Sequence, residues 1–293
     1  MSEPRIYDHI VGLGYDCRIA YNLRRTFGFE RAFPFDWWVT PLPALAAFLR
    51  EPSIEHLYDP RRLQPFMAKG GIFAIRNVHY GIELHHEFPR GEDGLVTPDW
   101  ADHIAPAKAR TQFLWRRLLA LPSGSRALFV RGCGAIERKT LATKEYDRLV
   151  GDVRMGLEAI LPGADLELLL INSPVRVDAP GVLSLEIDDQ NKDDWRGTPD
   201  VWTRALRGAG LAWAGRPVGV PELANPEADH DFLAGGARTG GYSAATGTAL
   251  AATRSRTAAV GRTSAKIMHI LSSVALWAAS VRAALASDTN TTL

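Results

Sequence analysis

The sequence predicts an α/β protein in which a mainly parallel sheet is flanked by helices within a single domain. Strand-like segments alternate with helical patterns, which is the chain order of parallel strands that are joined through helices. The segment 168–171 is apolar without interruption, as in a strand that is covered on both faces. The chain has 293 residues, of which 46% are hydrophobic, so it is long enough to bury a core of this kind.

The amino-terminal elements are arranged around a glycine turn. Residues 7–14 have the pattern of a short strand that ends in Gly-x-Gly. Apolar residues at helical spacing predict a helix over 17–27 that stops at Gly28. This helix should direct three basic side chains to water: Arg18, Arg24 and Arg25. An aromatic cluster at 33–38 then precedes a further helix at about 44–50.

The remaining elements of the body alternate between the two patterns. Helical spacing predicts helices at about 105–121, 143–160 and 200–206. Alternating or continuous apolar residues predict strands within 72–88 and at 128–131, 165–171 and 181–187. The strands of the 72–88 region should end in Leu84-His85-His86-Glu87-Phe88. Because side chains alternate along a strand, only one of the two histidines would then face a given pocket.

The charge distribution separates the body of the chain from its tail. The net charge is +1, but six basic residues and one acidic residue follow position 231, so the tail carries +5 and the preceding part carries −4. We therefore expect an α/β domain over 1–222, a disordered low-complexity linker over 223–264 and a carboxyl-terminal helix over 265–287. That helix has an amphipathic pattern that could contact a membrane surface.

Composition argues against several classes of protein. Two cysteines, Cys17 and Cys133, are too few for a disulfide framework, and the balanced charge gives no indication of nucleic-acid binding. The amino terminus lacks the apolar stretch of a secretion signal, so we expect a cytoplasmic protein with reduced thiols. Cys17 stands where a dinucleotide-binding fingerprint has its third glycine, and no Walker-type phosphate loop is present. We expect no cofactor.

Cys17 is the first candidate for chemistry. It follows a Gly-x-Gly turn and stands at the predicted start of a helix. The free N–H groups and partial positive charge of a helix amino terminus favour a thiolate over a thiol. Arg18 adds a cation there, whereas Asp16 opposes it. The alternative is that Cys17 is a small side chain that packs under the turn.

His86 is the second candidate, because a histidine at the end of a strand is well placed to act as a general base. Metal binding is a weaker alternative, since it needs three or four convergent ligands. The available histidines include no His-x-x-x-His pair: His79, His85, His86 and His103.

Asp36 is the third candidate, because a carboxylate among large apolar residues is costly unless it is paired or hydrogen-bonded. It could orient the histidine, pair with an arginine or cap the next helix. Arg131 and Asn172 end predicted strands and could line a ligand site at the carboxyl edge of the sheet. Cys133 follows Arg131 in a glycine-flanked turn that we expect to be flexible.

These motifs in this order resemble a family of uncharacterised bacterial proteins described as papain-like cysteine peptidases. The resemblance rests on Gly-Leu-Gly-Tyr-Asp-Cys at 12–17, Pro-Phe-Asp-Trp at 34–37, His-Glu-Phe at 86–88 and Leu-Phe-Val-Arg at 128–131. It covers roughly residues 8–205 and implies a Cys–His site, with Cys17 as the nucleophile and His86 as the base.

The leading hypothesis is a hydrolase or acyl transferase with a cysteine nucleophile, acting on a peptide or a small molecule. Three residues are candidates for the group that orients the imidazole: Asp36, Asn172 and Asp189. The first alternative is a non-catalytic or glycan-related binding module in which Trp37, Trp38 and Arg131 line a crevice. The second alternative is a metal-dependent hydrolase that uses the histidines.

Overall fold

The structure is a computed structural model that describes residues 3–29, 31–68, 70–191 and 194–215. The predicted linker at 223–264 and the predicted helix at 265–287 lie outside the described residues. The described residues all belong to one compact unit.

The secondary structure is mixed, with helices between most of the strands. The strands in chain order are β1 Arg5–Tyr7, β2 His9–Gly12, β3 Trp38–Val39, β4 Leu63–Ala68, β5 Gly71–Asn77, β6 Ile82–Leu84, β7 Arg126–Gly132, β8 Asp165–Ile171, β9 Val182–Leu185 and β10 Leu211–Trp213. The α-helices are α1 Cys17–Phe27, α2 Leu42–Arg50, α3 Ile54–Leu57, α4 Ile104–Leu119, α5 Ala135–Thr140, α6 Thr143–Ile160 and α7 Pro199–Gly208. Two short 3₁₀ helices lie at Pro60–Arg62 and Trp100–His103.

A parallel sheet in the order β2-β7-β8-β9 forms one half of the fold. Its side chains alternate between two hydrophobic clusters, as side chains on opposite faces of a covered sheet must. Phe129 and Leu168 belong to the cluster that includes α2 and α6, whereas Leu128 and Leu169 belong to the cluster that includes α1 and α7. The pair β1 and β10 is also parallel.

An antiparallel sheet in the order β3-β6-β5-β4 forms the other half, and its strands lie in the chain between α1 and β7. Its buried residues Ile75, Ile82 and Leu84 belong to the same cluster as Phe129 of the parallel sheet. The mainly parallel sheet that the sequence predicts is therefore only part of the structure. The α/β class is confirmed, and the sheets are partly parallel.

The predicted elements are present, with small shifts in most of their ends. The main departure is at the histidines: β6 ends at Leu84, so His85 and His86 lie in the loop that follows it. The prediction that these two side chains alternate across a strand is therefore wrong, and their rings contact each other with centroids 4.6 Å apart. None of the helices in the described part of the chain has the length and apolar character needed to cross a membrane.

The turn before α1 contains a glycine that has both a positive φ and no room for a side chain. Gly14 has φ of 75°, and a Cβ there would lie 2.5 Å from Thr40 Oγ1 and 3.1 Å from the carbonyl oxygens of Phe35 and Trp38. Gly124 has a similar φ of 79° but nothing within 4 Å of the equivalent position. The two glycines therefore share a backbone conformation and differ in the space around them.

We expect Gly14→Ala to lower the free energy of unfolding by about 1–3 kcal/mol more than Gly124→Ala does, because both strain the backbone but only the first is also overpacked. Urea denaturation of the two variants measures the difference. Equal losses would mean that the close packing around Gly14 contributes nothing.

Candidate active site

The cysteine turn places Cys17 at the first position of α1, after β2. Tyr15 has a positive φ of 75°, which is uncommon for a residue other than glycine, and its N–H donates to Thr40 Oγ1 at 3.1 Å. Asp16 is the N-cap residue, and its Oδ1 accepts a hydrogen bond from the Arg18 N–H at 3.1 Å. The turn is thus fixed from both ends, and Cys17 starts the helix as predicted.

A buried ion pair supports the turn from the end of β7. Arg131 Nη2 donates to Glu137 Oε1 at 2.6 Å, with both side chains almost completely buried. The same oxygen accepts from the Leu42 N–H, which supplies the cap that α2 lacks at its own N-cap residue. The Arg131 guanidinium lies 5.8 Å from the ring centroid of Tyr15. Because Arg131 is buried and paired in this way, it is not available to line an open ligand crevice.

The aromatic segment connects α1 to the histidine loop through three consecutive residues. Asp36 Oδ2 accepts hydrogen bonds from Arg24 of α1 at 2.5 Å and from the Phe33 N–H at 2.9 Å. The Trp37 ring contacts the His86 ring, with centroids 5.5 Å apart. Trp38 Nε1 donates to Glu87 at 3.1 Å. Arg24, which the sequence pattern assigned to water, is therefore buried: only 9% of its side chain is exposed.

The loop after β6 is held on both sides of His86. Glu87 is buried and accepts hydrogen bonds from Trp38 and from Arg110 of α4, the latter at 2.8 Å. Arg90 donates to the carbonyl oxygens of His85, Phe73 and Gly94. The peptide that precedes His86 is therefore fixed by Arg90, and the residue that follows it is fixed by Trp38 and Arg110.

Cys17 and His86 share one neighbourhood beside Trp37. Cys17 packs against a small apolar cluster that contains Trp37, and the His86 ring contacts the same tryptophan. Arg90 interacts electrostatically with both Cys17 and His86. No hydrogen bond joins the Cys17 thiol to the His86 ring within the described structure. Cys17 and His86 thus share Trp37 and Arg90 in their surroundings, without a hydrogen bond between them in the described structure.

The electrostatics of the site favour neutral forms of both groups. Burial raises the pKa of the Cys17 thiol to about 12; Asp16 also raises it, while the Cys17 backbone N–H, Arg18 and Arg90 lower it. Burial lowers the pKa of His86 to about 4, and the charge of Arg90 lowers it further. At neutral pH the site therefore holds a thiol and an uncharged imidazole, not the thiolate that the helix terminus alone predicts.

None of the three candidates for the imidazole-orienting group contacts His86. Asp36 is engaged by Arg24 and Phe33, so its observed role is that of a buried structural counter-ion. Asn172 exchanges two hydrogen bonds with the backbone of Ile187. Asp189 accepts from Thr198 and Trp202 and organises the loop before α7.

The other predicted features are more buried than an open ligand site requires. Trp38 is fully buried and packs against Phe35 and Phe48. Burial raises the pKa of Cys133 to about 12, and Glu137 raises it further. Among the residues that the structure describes, no group of three or more histidine, cysteine, aspartate or glutamate side chains could hold a metal ion.

Arg90 is the main residue that sequence reasoning did not identify. It lies in a loop that has no periodic pattern, and its partners are backbone carbonyl oxygens, which leave no signature in the sequence. Glu87 was noticed only as part of a motif. Its spacing from Trp38 could not show that the two side chains meet, because they are brought together by the pairing of β3 with β6.

We expect Asp36→Asn to lower the free energy of unfolding by about 3–5 kcal/mol, because it leaves the buried Arg24 without a counter-charge. Glu158→Gln is the matched control: it removes a partner of Arg154 at the surface of α6 and should cost less than about 1 kcal/mol. Chemical denaturation measures both. A loss for Asp36→Asn as small as that of the control would show that the buried pair does not stabilise the fold.

The low pKa of His86 predicts an acid-dependent loss of stability. The unfolded chain has a histidine pKa of about 6.5, so between pH 6.5 and 4 it binds more protons than the folded protein. The free energy of unfolding should therefore fall as the pH is lowered through this window. The contribution of His86 is up to about 3 kcal/mol, and His86→Gln should remove it. An NMR titration of the imidazole with a midpoint near 6.5 would contradict this expectation.

We compared the chain with protein-family models, with curated proteins and with solved structures, and none of the three comparisons gave a match.

Proposed function

We propose that this chain is a hydrolase or acyl transferase with a cysteine nucleophile, in which Cys17 attacks a carbonyl group and His86 transfers the proton. The observation that carries the proposal is that Cys17, at the start of α1, packs against an apolar cluster that contains Trp37, while the His86 ring contacts Trp37 itself. Cys17 follows a strand of the parallel sheet and His86 follows a strand of the antiparallel sheet, and the charge of Arg90 acts on both groups. The motif resemblance to papain-like cysteine peptidases supports the same pair.

The protonation states of Cys17 and His86 at rest determine how the reaction begins. Burial keeps the thiol pKa far above neutral pH, so Cys17 is a thiol at pH 7. An ion pair formed in advance is therefore not the reactive form. Proton transfer from Cys17 Sγ to His86 accompanies the attack, as general-base catalysis allows for a weak nucleophile.

The proposed cycle conserves atoms and protons. Cys17 Sγ forms a bond to the carbonyl carbon of an ester, thioester or amide, its proton passes to His86, and the carbonyl electron pair moves to oxygen. As the carbonyl re-forms, the bond to the leaving group breaks, and His86 gives that group the proton. Water or an acceptor hydroxyl or amine then attacks the thioester and loses its proton to His86. As the bond from carbon to sulfur breaks, His86 returns that proton to Sγ, so that Cys17 is released as the thiol and His86 is again neutral.

The backbone at the start of α1 supports the oxyanion that forms in each attack. The Cys17 N–H lies at the helix amino terminus, where N–H groups lack partners within the helix and carry a partial positive charge. Asp16 already accepts a hydrogen bond from the Arg18 N–H, so we assign the Cys17 N–H as the donor to the oxyanion.

The proposed site is a dyad, since no described carboxylate or amide contacts the His86 ring. Its orientation comes instead from the Trp37 ring and from the hydrogen bonds that hold the neighbouring residues, Glu87 to Trp38 and His85 to Arg90.

A second candidate function is a non-catalytic binding module, and the raised pKa of Cys17 favours it. A thiol that stays protonated behaves as a small apolar side chain, and Cys17 does pack against an apolar cluster. Trp37, Trp38 and Arg131, the three side chains that were expected to line the crevice, are all buried, so a ligand of such a module would have to contact other residues, such as those of the histidine loop.

Labelling with an acyloxymethyl ketone, a probe that mimics an acyl substrate, separates the two functions. We expect the wild-type protein and Cys133→Ala to be labelled, Cys17→Ala not to be labelled, and His86→Ala to be labelled at least about 100-fold more slowly. Intact-protein mass spectrometry measures the rates. Equal rates for His86→Ala and the wild type would refute the dyad, and a Cys17 that reacts no faster than glutathione would favour the binding module.

A further inference from the structure

Arg90 places a positive charge in the candidate site without a carboxylate partner. Its side chain is half-buried, and within the described residues it forms no ion pair. Its hydrogen bonds all go to backbone carbonyl oxygens: Nε and Nη2 to His85, Nη2 to Phe73 at 2.9 Å and Nη1 to Gly94 at 2.5 Å. Carbonyl groups orient a guanidinium, but they do not neutralise its charge.

The hydrogen bonds of Arg90 leave a donor for a further partner. A guanidinium has five N–H donors, and the four contacts above use four of them. The remaining donor is on Nη1. A partly buried guanidinium with one open donor and no counter-charge is suited to bind one oxygen of a carboxylate.

The charged groups around the site do not cancel the charge of Arg90. Asp16 and Arg18, which both act on Cys17 from the start of α1, oppose each other. His86 is uncharged at neutral pH, and its pKa is lowered both by burial and by Arg90. Arg90 is therefore the cation that acts on His86 at rest, and its charge acts against protonation of the proposed base.

We propose that Arg90 anchors a carboxylate of the substrate, so that the site acts on acyl compounds that carry a negative charge close to the carbonyl under attack. This inference rests on the proposed function, because it places the anchor beside Cys17 and His86. A bound carboxylate offsets the charge of Arg90, and His86 can then accept the proton from the thiol more readily. An anionic substrate would thus be selected by charge and would also activate the base.

Iodoacetate and iodoacetamide test the anchor, because they alkylate a thiol in the same way and differ only in the carboxylate. In each case sulfur displaces iodide, an S–C bond forms and the thiol proton goes to solvent. We expect Cys17, measured in Cys133→Ala protein, to prefer iodoacetate by about fivefold or more relative to glutathione. Arg90→Gln should abolish this preference and Arg90→Lys should retain it, whereas Arg76→Gln, which removes a cation that is paired with Glu83, should leave it unchanged.

The alkylated proteins give a second readout that a purely structural role of Arg90 would not produce. Carboxymethylation of Cys17 attaches a carboxylate near Arg90, whereas carbamidomethylation attaches a neutral group of the same size. The pKa of His86, followed by NMR, should be higher in the carboxymethylated protein, and Arg90→Gln should remove the difference.

Several results would overturn the anchor. The anchor is wrong if Cys17 prefers iodoacetate over iodoacetamide no more than glutathione does, or if Arg90→Gln keeps the preference. It is also wrong if Arg18→Gln loses the preference while Arg90→Gln keeps it. If Arg90→Gln does not fold, Arg90→Lys, which keeps the charge, gives the test instead, and a preference in that variant equal to that of glutathione would overturn the anchor. Alkylation of a thiol needs no catalytic turnover, so the two proposals can fail separately. If Cys17 clearly prefers iodoacetate but the protein hydrolyses no ester, the anchor stands and the hydrolase is refuted.

Discussion

The buried ion pair between Arg24 and Asp36 is the interaction on which the position of the site depends. Charged side chains leave water only at a large cost, and this pair lowers that cost when the two groups meet at 2.5 Å. Arg24 Nε and Nη1 have no hydrogen-bond partner among the residues that the structure describes, so a shift of α1 against the aromatic segment would leave Arg24 still less compensated. The pair thus fixes the helix that carries Cys17 against the segment that carries Trp37.

The same aromatic segment also holds the histidine loop in place. Trp38 donates a hydrogen bond to Glu87, and the Trp37 ring contacts the His86 ring, so two consecutive residues of this segment hold the histidine loop. Gly12, at the end of β2, belongs to the same unit: a Cβ there would lie 3.1 Å from Asp36 Oδ1. The resemblance motifs at 12–17, 34–37 and 86–88 are far apart in the chain, and these contacts give a physical reason for their occurring together.

Local signals explain which parts of the fold could be predicted from the sequence. Helix α1, helix α6 and strand β8 begin and end at the predicted residues, because strong periodicity and a glycine stop specify them. Strand β4 was not predicted, since Pro65 and an irregular register after Phe66 break its pattern. The sequence also could not show that Arg24 is covered, because its partner lies on a segment that packs against α1 only in the folded protein.

The position of Cys17 at a helix start could be predicted from the sequence, but the electrostatics of the candidate site could not. Cys17 and His86 could be chosen from a glycine turn and a strand end, yet their charge states depend on burial, which the sequence does not record. The helix terminus favours a thiolate, but desolvation is the larger effect here and acts in the opposite direction.

The charge of Arg90 acts on both Cys17 and His86, and so on the candidate site as a whole. Because backbone carbonyl oxygens orient its guanidinium, its charge remains available to whatever occupies the site. A carboxylate of the protein beside Arg90 would neutralise that charge and remove the smaller of the two causes that lower the pKa of His86, but it would also leave the site without a preference for anions. In the proposed mechanism the substrate supplies the missing negative charge, so the charge of Arg90 stays uncompensated until the substrate binds.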